Sequence, residues 1–188
     1  LLENRTLLGI YLFTALTTTA HYTGYSYIEP FLGQVAGLGE NWITFVLVTF
    51  GISGIFGSFL FSRYFSKFPR LFIPVTSAGL AVFMLLLRVS AYHLYTVILL
   101  CFLWGIAITE FSLVFQAEII RFAPRATTIA MSIFSGIFNL GIGTGTLAGG
   151  GVCTWLSIPY IGYAGGAIAI IAFIYCIAKL LPLLKAEP

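Results

Sequence analysis

The chain has 188 residues, of which 60% are hydrophobic and only 8% are charged. Its mean hydropathy of +1.04 leaves too little polar surface to cover a water-soluble protein of this size. The net charge of +3 is small and lies mostly between apolar segments, so it gives no support to a nucleic-acid partner. This composition predicts an all-α membrane protein.

Six apolar segments follow one another, each near or above the ~20 residues that a helix needs to span a bilayer. They cover residues 6–32, 42–61, 71–87, 94–115, 129–156 and 160–181. A transmembrane β-barrel would show alternating segments of ~10 residues instead. The sequence therefore predicts six transmembrane helices in one domain that covers residues 1–188.

The basic residues lie at alternate boundaries between these segments. Eight of the nine fall on one side of the membrane: Arg5, Arg63, Lys67, Arg70, Arg121, Arg125, Lys179 and Lys185. The opposite side receives Arg88 alone. Because loops rich in Lys and Arg stay in the cytoplasm, both termini are predicted to be cytoplasmic.

The first segment carries a stripe of polar and aromatic residues on one helical face. Its members recur at gaps of three and four: Tyr11, Thr14, Thr18, His21, Tyr25 and Glu29. We expect this face to line a cavity, where Tyr11, Thr18, His21 and Tyr25 bind a polar solute. His21 and Glu29 are also candidates for carrying protons. The alternative is that the stripe forms hydrogen bonds between helices.

The first helix is expected to bend or end near Pro30, which lacks a backbone donor. This expectation places Glu29 close to the membrane surface.

The fifth segment has two different faces. A polar stripe on one face is formed by Thr128, Ser132, Ser135 and Asn139, and we expect Ser135 and Asn139 to contact the solute. Roughly opposite, three glycines recur at intervals of four: Gly141, Gly145 and Gly149. This spacing favours close helix packing, and it also permits the helix to bend or slide.

The fourth segment contains Glu110, an acidic residue within the predicted membrane. An ionisable group at such a position is costly, which makes Glu110 a candidate for solute or proton binding. The alternative is that it points toward Glu118 and the basic cytoplasmic rim. We find no catalytic or nucleotide-binding motif and no metal-ligand spacing, so neither an enzyme nor a cofactor or metal is predicted.

Several strings resemble the bacterial sugar-efflux branch of the major facilitator superfamily. They are HYTGYSYIEPF at residues 21–31, WGIA at 104–107 and FSGIFN at 134–139. The similarity is to the C-terminal six-helix half of such transporters and covers nearly the whole chain. The loop after the second segment also resembles the superfamily's basic cytoplasmic signature. Arg63 and Lys67 match that signature, whereas Ser58, Ser62 and Phe65 replace its two glycines and its acidic residue.

The resemblance implies half of a 12-helix fold, built as an inverted repeat of three plus three helices. It implies a proton-driven antiporter in the bacterial inner membrane that exports sugars or sugar-like solutes by alternating access. Its partners would be the solute, protons, the bilayer and an N-terminal six-helix half, and the first and fourth helices would line the cavity. The alternatives are a self-sufficient six-helix channel, a homodimeric half-transporter, a structural or enzymatic membrane module, and an exporter of drugs or nucleosides.

Overall fold

The computed structural model describes residues 4–186, except for the side chains of Arg70 and Ala186. The regular structure of these residues is helical, which confirms the all-α prediction for them. The helices are α1 (Arg5–Tyr25), α2 (Ile28–Gln34), α3 (Glu40–Tyr64), α4 (Pro69–Ser90), α5 (Leu94–Phe122), α6 (Thr127–Trp155), α7 (Ile161–Tyr175) and α8 (Leu181–Ala186). A short 3₁₀ turn (Ile158–Tyr160) precedes α7, and a π-helical turn (Cys176–Leu180) joins α7 to α8.

Five of the six predicted spans correspond to helices that are long and apolar enough to cross a membrane. They are Glu40–Tyr64, Leu71–Ser90, Leu94–Phe122, Thr127–Trp155 and Ile158–Lys185. Helix α1 is 21 residues long, but its threonines and His21 make it more polar than the others. Its passage through the membrane stays a prediction.

The first predicted span, residues 6–32, is not one helix. Helix α1 ends at Tyr25 and α2 begins at Ile28, so the break precedes Pro30 by one turn. A proline inside a helix clashes with the carbonyl four residues earlier, which here belongs to Ser26. In α2, Pro30 stands in the first turn, where a missing N–H group leaves no intrahelical bond unmade.

The long helices form an open arc of neighbours in the order α6, α1, α7, α4, α5, α3. Helices α1 and α5 also meet inside this arc. Exchange of α1, α3 and α4 with α5, α6 and α7, respectively, reproduces the contacts along this arc and the α1–α5 contact. The smaller contacts of α6 with α5 and α7 have no counterpart of similar extent at α3.

The α1–α6 contact is made through the glycine face of α6. Gly141, Gly145 and Gly149 are buried, and a Cβ atom at Gly149 would lie 2.5 Å from the carbonyl oxygen of Thr23. Two hydroxyl pairs bridge the helices beside this face. Thr19 Oγ1 lies 2.8 Å from Thr144 Oγ1, and Ser26 Oγ lies 2.8 Å from Thr146 Oγ1. The absence of side chains at the glycines thus lets the two backbones approach closely.

The α3–α5 contact uses small residues in the same way. A Cβ atom at Gly57 would lie 3.1 Å from the carbonyl oxygen of Ile106, and one at Gly105 would lie 2.8 Å from that of Phe50. Glycines on both helices therefore bring α3 and α5 to backbone contact. This packing holds Phe50 and Trp104, which lie beside Gly51 and Gly105 in the sequence, inside the bundle.

Candidate functional site

A cleft of about 230 Å³ lies between α5 and α6, near the loop that joins them. Its lining residues are Ser112, Gln116, Met131, Phe134, Ser135 and Phe138. Two polar side chains come from α5 and one from α6, while the rest of the wall is apolar. The cleft therefore combines a few polar groups with aromatic and aliphatic surface, which is typical of sites for small molecules.

Hydrogen bonds within α5 and within α6 orient polar side chains in and beside the cleft. Gln116 Nε2 donates to Ser112 Oγ at 2.9 Å. On the facing helix, Asn139 Nδ2 donates to the carbonyl oxygen of Ser135 at 2.8 Å. Within residues 4–186, no donor is bonded to Asn139 Oδ1. Ser135 and Asn139 are exposed, so hydroxyl and amide groups remain able to bind a polar solute.

An aromatic cluster of His21, Tyr22, Tyr25, Phe50 and Trp104 joins α1, α3 and α5. The His21 ring stacks on Tyr25 at a centroid distance of 5.1 Å and meets the Trp104 ring edge-on at 5.4 Å. The Tyr25 and Phe50 rings lie 4.8 Å apart. His21 is 3% exposed and Trp104 is fully buried, whereas Tyr22 and Tyr25 are half-buried.

The cluster adjoins the cleft through Phe138. The Phe138 ring lines the cleft, and its centroid lies 6.4 Å from that of Tyr22. Tyr22 thus links the cluster to the cleft, and it contacts the His21 ring at 4.8 Å and the Tyr25 ring at 6.0 Å.

Two buried polar atoms of the cluster have no hydrogen-bond partner in the described part of the chain. They are His21 Nδ1 and Trp104 Nε1. Most buried polar atoms in proteins are hydrogen-bonded, and leaving one unpaired costs about 1–3 kcal/mol. These nitrogens are therefore groups whose hydrogen-bonding capacity the surrounding side chains do not satisfy.

The other members of the predicted α1 stripe do not face the cleft. Tyr11 and Thr18 are buried, at 4% and 0% exposure. The Tyr11 hydroxyl donates to the carbonyl oxygen of Ala130 at 3.1 Å, and Thr18 Oγ1 donates to that of Thr14 at 2.7 Å. Threonine hydroxyls often bond to the preceding turn of their own helix. Of these residues, Tyr11 makes the hydrogen bond between helices that the alternative interpretation expects, whereas Thr14 and Thr18 bond within α1.

The three candidate proton carriers are separated from one another. His21 lies in the aromatic cluster, while Glu29 is exposed on α2. Glu110 lies on the α4 side of α5 and lines a different pocket. At the rim, Glu118 is paired with Arg121 at 3.3 Å.

Arg63 and Lys67 are exposed at the end of α3 and in the loop that follows it. Among residues 4–186, no three His, Cys, Asp or Glu side chains lie close enough together to hold a metal ion.

The sequence interpretation missed part of the site. Ser112 and Gln116 are one helical turn apart, and this spacing places them on one face of α5, but the prediction did not assign that face to the solute site. Phe50 and Trp104 offered no such signal, because aromatic residues are abundant in every segment and only the packing of α3 on α5 brings these two to His21.

Comparison with known proteins gives similarities that cover most of the chain. No protein-family model matches the sequence. It is 42% identical to a protein of Pasteurella multocida (strain Pm70) named probable sugar efflux transporter, over 168 residues that make up 89% of this chain and 42% of that protein. A protein of the same name from Helicobacter acinonychis (strain Sheeba) is 42% identical over 93% of this chain and 45% of its own length. A third, from Haemophilus influenzae (strain PittGG), is 44% identical over 89% of this chain and 42% of its own length. The chain thus spans less than half the length of these curated relatives.

Proposed function

We propose that this chain is the C-terminal six-helix half of a major facilitator superfamily transporter that exports sugars in exchange for protons across the bacterial inner membrane. The observation that carries the proposal is the cleft between α5 and α6, which holds three polar side chains and adjoins the half-buried Tyr22 through Phe138. Relatives named probable sugar efflux transporters, each more than twice the aligned length, support the same function.

The equivalent packing of the two sets of three helices along the arc supports the proposed half-transporter. An inverted repeat requires that each helix of the first set have the same main neighbours as its counterpart in the second. The pairs α1–α6 and α5–α3 are such counterparts, as are α1–α7 and α5–α4. Glycines mediate both the α1–α6 and the α5–α3 contact.

The chemistry of the cleft suits a sugar. Hydroxyl and amide groups of Ser112, Gln116 and Ser135 both donate and accept hydrogen bonds, as the hydroxyls of a sugar do. The half-buried Tyr22 lies at the adjoining side, next to Phe138. A site that hydrogen-bonds the substrate's hydroxyls also discriminates against apolar solutes, because these would leave its polar groups unpaired.

We assign proton coupling to His21 among the three candidates. It alone contacts the tyrosine that adjoins the cleft, at a centroid distance of 4.8 Å from the Tyr22 ring. Imidazole exchanges a proton in the physiological pH range. Its unpaired Nδ1 atom is the group through which solute binding and proton binding would influence each other.

The test is efflux of radiolabelled pentoses and hexoses from proteoliposomes that contain the complete protein. We expect Ser135→Ala to raise the KM for the exported sugar about tenfold, since one lost hydrogen bond in a binding site corresponds to about 1.4 kcal/mol. Ser132→Ala is the matched control. Ser132 stands one turn earlier on α6, and its hydroxyl is bonded to the carbonyl oxygen of Thr128 at 2.9 Å.

His21→Gln tests the coupling separately. We expect the variant to retain sugar exchange without a pH gradient and to lose the stimulation of efflux by an imposed gradient. Equal KM values for the two serine variants would refute the cleft as the sugar site. Undiminished stimulation in His21→Gln would refute the role of His21.

A further inference from the structure

A second pocket, of about 140 Å³, lies between α4 and α5 and contains a single ionisable group. It is lined by Leu71, Phe72, Val75, Thr76 and Glu110. Leu71 and Val75 are 58% and 54% exposed, so the pocket opens on the outer side of α4. The remaining wall is apolar except for the hydroxyl of Thr76.

This pocket is distinct from the cleft. Along a helix of about 100° per residue, Glu110 is rotated by about 200° from Ser112 and by about 240° from Gln116. The polar face of α5 therefore turns toward α6, while Glu110 turns toward α4.

The Glu110 carboxylate has neither a hydrogen-bond donor nor an ion-pair partner among the side chains that the structure describes. The only hydroxyl in the pocket is already used. Thr76 Oγ1 donates to the carbonyl oxygens of Phe72 and Ile73, at 2.8 and 3.2 Å. A half-buried carboxylate in an apolar wall thus lacks an internal partner within this part of the chain.

The position of Glu110 along α5 makes this arrangement costly. Glu110 is 12 residues from Phe122 and 16 from Leu94, the ends of α5. At ~1.5 Å per residue these separations are about 18 and 24 Å. The hydrocarbon core is ~30 Å thick, so Glu110 lies within it if α5 spans the bilayer. Acidic residues at that depth are rare and pair with other groups or mark binding sites.

We propose that the pocket between α4 and α5 binds lipophilic ammonium compounds, with Glu110 as the counter-ion. An ammonium group supplies up to three donors to a carboxylate that has none. The apolar wall accepts the carbon chain or ring attached to it. The exposed edge formed by Leu71 and Val75 admits such a ligand from the lipid, without passage through the cleft.

The probe is radiolabelled 2-phenylethylamine, bound to the complete protein in nanodiscs of zwitterionic phosphatidylcholine and measured by scintillation proximity. The matched neutral competitor is 2-phenylethanol, which has the same ring and chain with a hydroxyl group. We expect saturable amine binding that the alcohol displaces at least tenfold less effectively than unlabelled amine does.

Two variants test the site by charge and by volume. Glu110→Gln removes the charge and keeps the shape, and Val75→Trp fills the pocket and keeps the charge; each should weaken amine binding at least tenfold. Their controls are Glu40→Gln, at an exposed acid in the first turn of α3, and Val82→Trp, two turns further along α4, and both should bind as the unmodified protein does. Size-exclusion chromatography and circular dichroism of all variants report folding.

Undiminished binding to Glu110→Gln would overturn the proposal, as would equal displacement by amine and alcohol, or the absence of saturable binding. The outcome is independent of the proposed sugar export. Sugar efflux in Glu110→Gln proteoliposomes is expected to equal that of the unmodified protein, so failure of one proposal leaves the other standing.

Discussion

Replacement of Gly145 by alanine probes the closest approach of α1 and α6. A Cβ atom at this position would lie 2.6 Å from the carbonyl oxygen of Thr19 and 2.8 Å from Cβ of Tyr22. Ordinary van der Waals contacts of such an atom begin at 3.4 Å. The Thr19 oxygen belongs to the backbone, so no side-chain rotation relieves the overlap. The helices must separate instead, which also stretches the bridge between Thr19 and Thr144.

Gly143 provides a matched control on the same helix. A Cβ atom there would have no neighbour within 4 Å. Both substitutions replace a glycine in a helix interior, which by itself stabilises the helix by about 0.5–1 kcal/mol. This common gain cancels when the two variants are compared, so their difference isolates the overlap at Gly145. Added volume in a packed interior costs about 1–3 kcal/mol.

We therefore expect Gly145→Ala to be less stable than Gly143→Ala by about 1–3 kcal/mol, and Gly143→Ala to be at least as stable as the unmodified protein. The measurement is thermal unfolding in detergent. One kcal/mol corresponds to a Tm change of about 2–4 °C for a chain of this size. Equal Tm values for the two alanine variants would refute backbone contact between α1 and α6.

Two further predictions concern helix contacts and topology. Tyr11→Phe should lower the free energy of unfolding by about 0.5–1.5 kcal/mol, because the hydrogen bond from the Tyr11 hydroxyl to the carbonyl oxygen of Ala130 is lost. Tyr92→Phe, at a residue that is 76% exposed, should change the free energy of unfolding little in the same denaturation assay. In a background without the native cysteines, a membrane-impermeant maleimide added to intact cells should label Tyr92→Cys and leave Ser66→Cys unlabelled, because Ser66 lies in a basic loop. The reverse labelling pattern would contradict the predicted orientation.

The positions of the long helices followed from the sequence because apolar length and basic boundaries are local properties. The break between α1 and α2 was less predictable. Pro30 acts on the carbonyl of Ser26, so the interruption falls a full turn before the proline that causes it. Read from composition alone, the residues around 26–28 look as apolar and aromatic as the helix that precedes them.

The candidate site followed only in part, since periodicity identifies the face of a helix and not its neighbour. The polar residues of the stripe do lie on α1, but the glycines of α6 bring α6 so close to α1 that Thr18 is fully buried. Thr18 then satisfies its hydroxyl on the preceding turn, as a threonine in any helix can. The cleft formed where α6 presents Ser135 and Phe138 instead of glycine.

Helix α6 therefore has two parts that differ in how they contact the neighbouring helices. Residues 141–150 contact α1 through the glycines, and Thr144 and Thr146 form hydroxyl bridges to it. Residues 131–138 border the cleft, and α6 as a whole contacts α5 much less than it contacts α1. Because regions with few packed neighbours open more readily, amide hydrogen exchange should be faster at 131–138 than at 141–150.

Gly145→Ala should make the exchange rates of the two segments more similar, because it weakens the contact of residues 141–150 with α1. Gly143→Ala should leave the difference in exchange rate unchanged. Uniform amide exchange along α6 in the unmodified protein would show that contact with α1 does not hold residues 141–150 more firmly than residues 131–138. Motion of α6 at the cleft would then involve the whole helix.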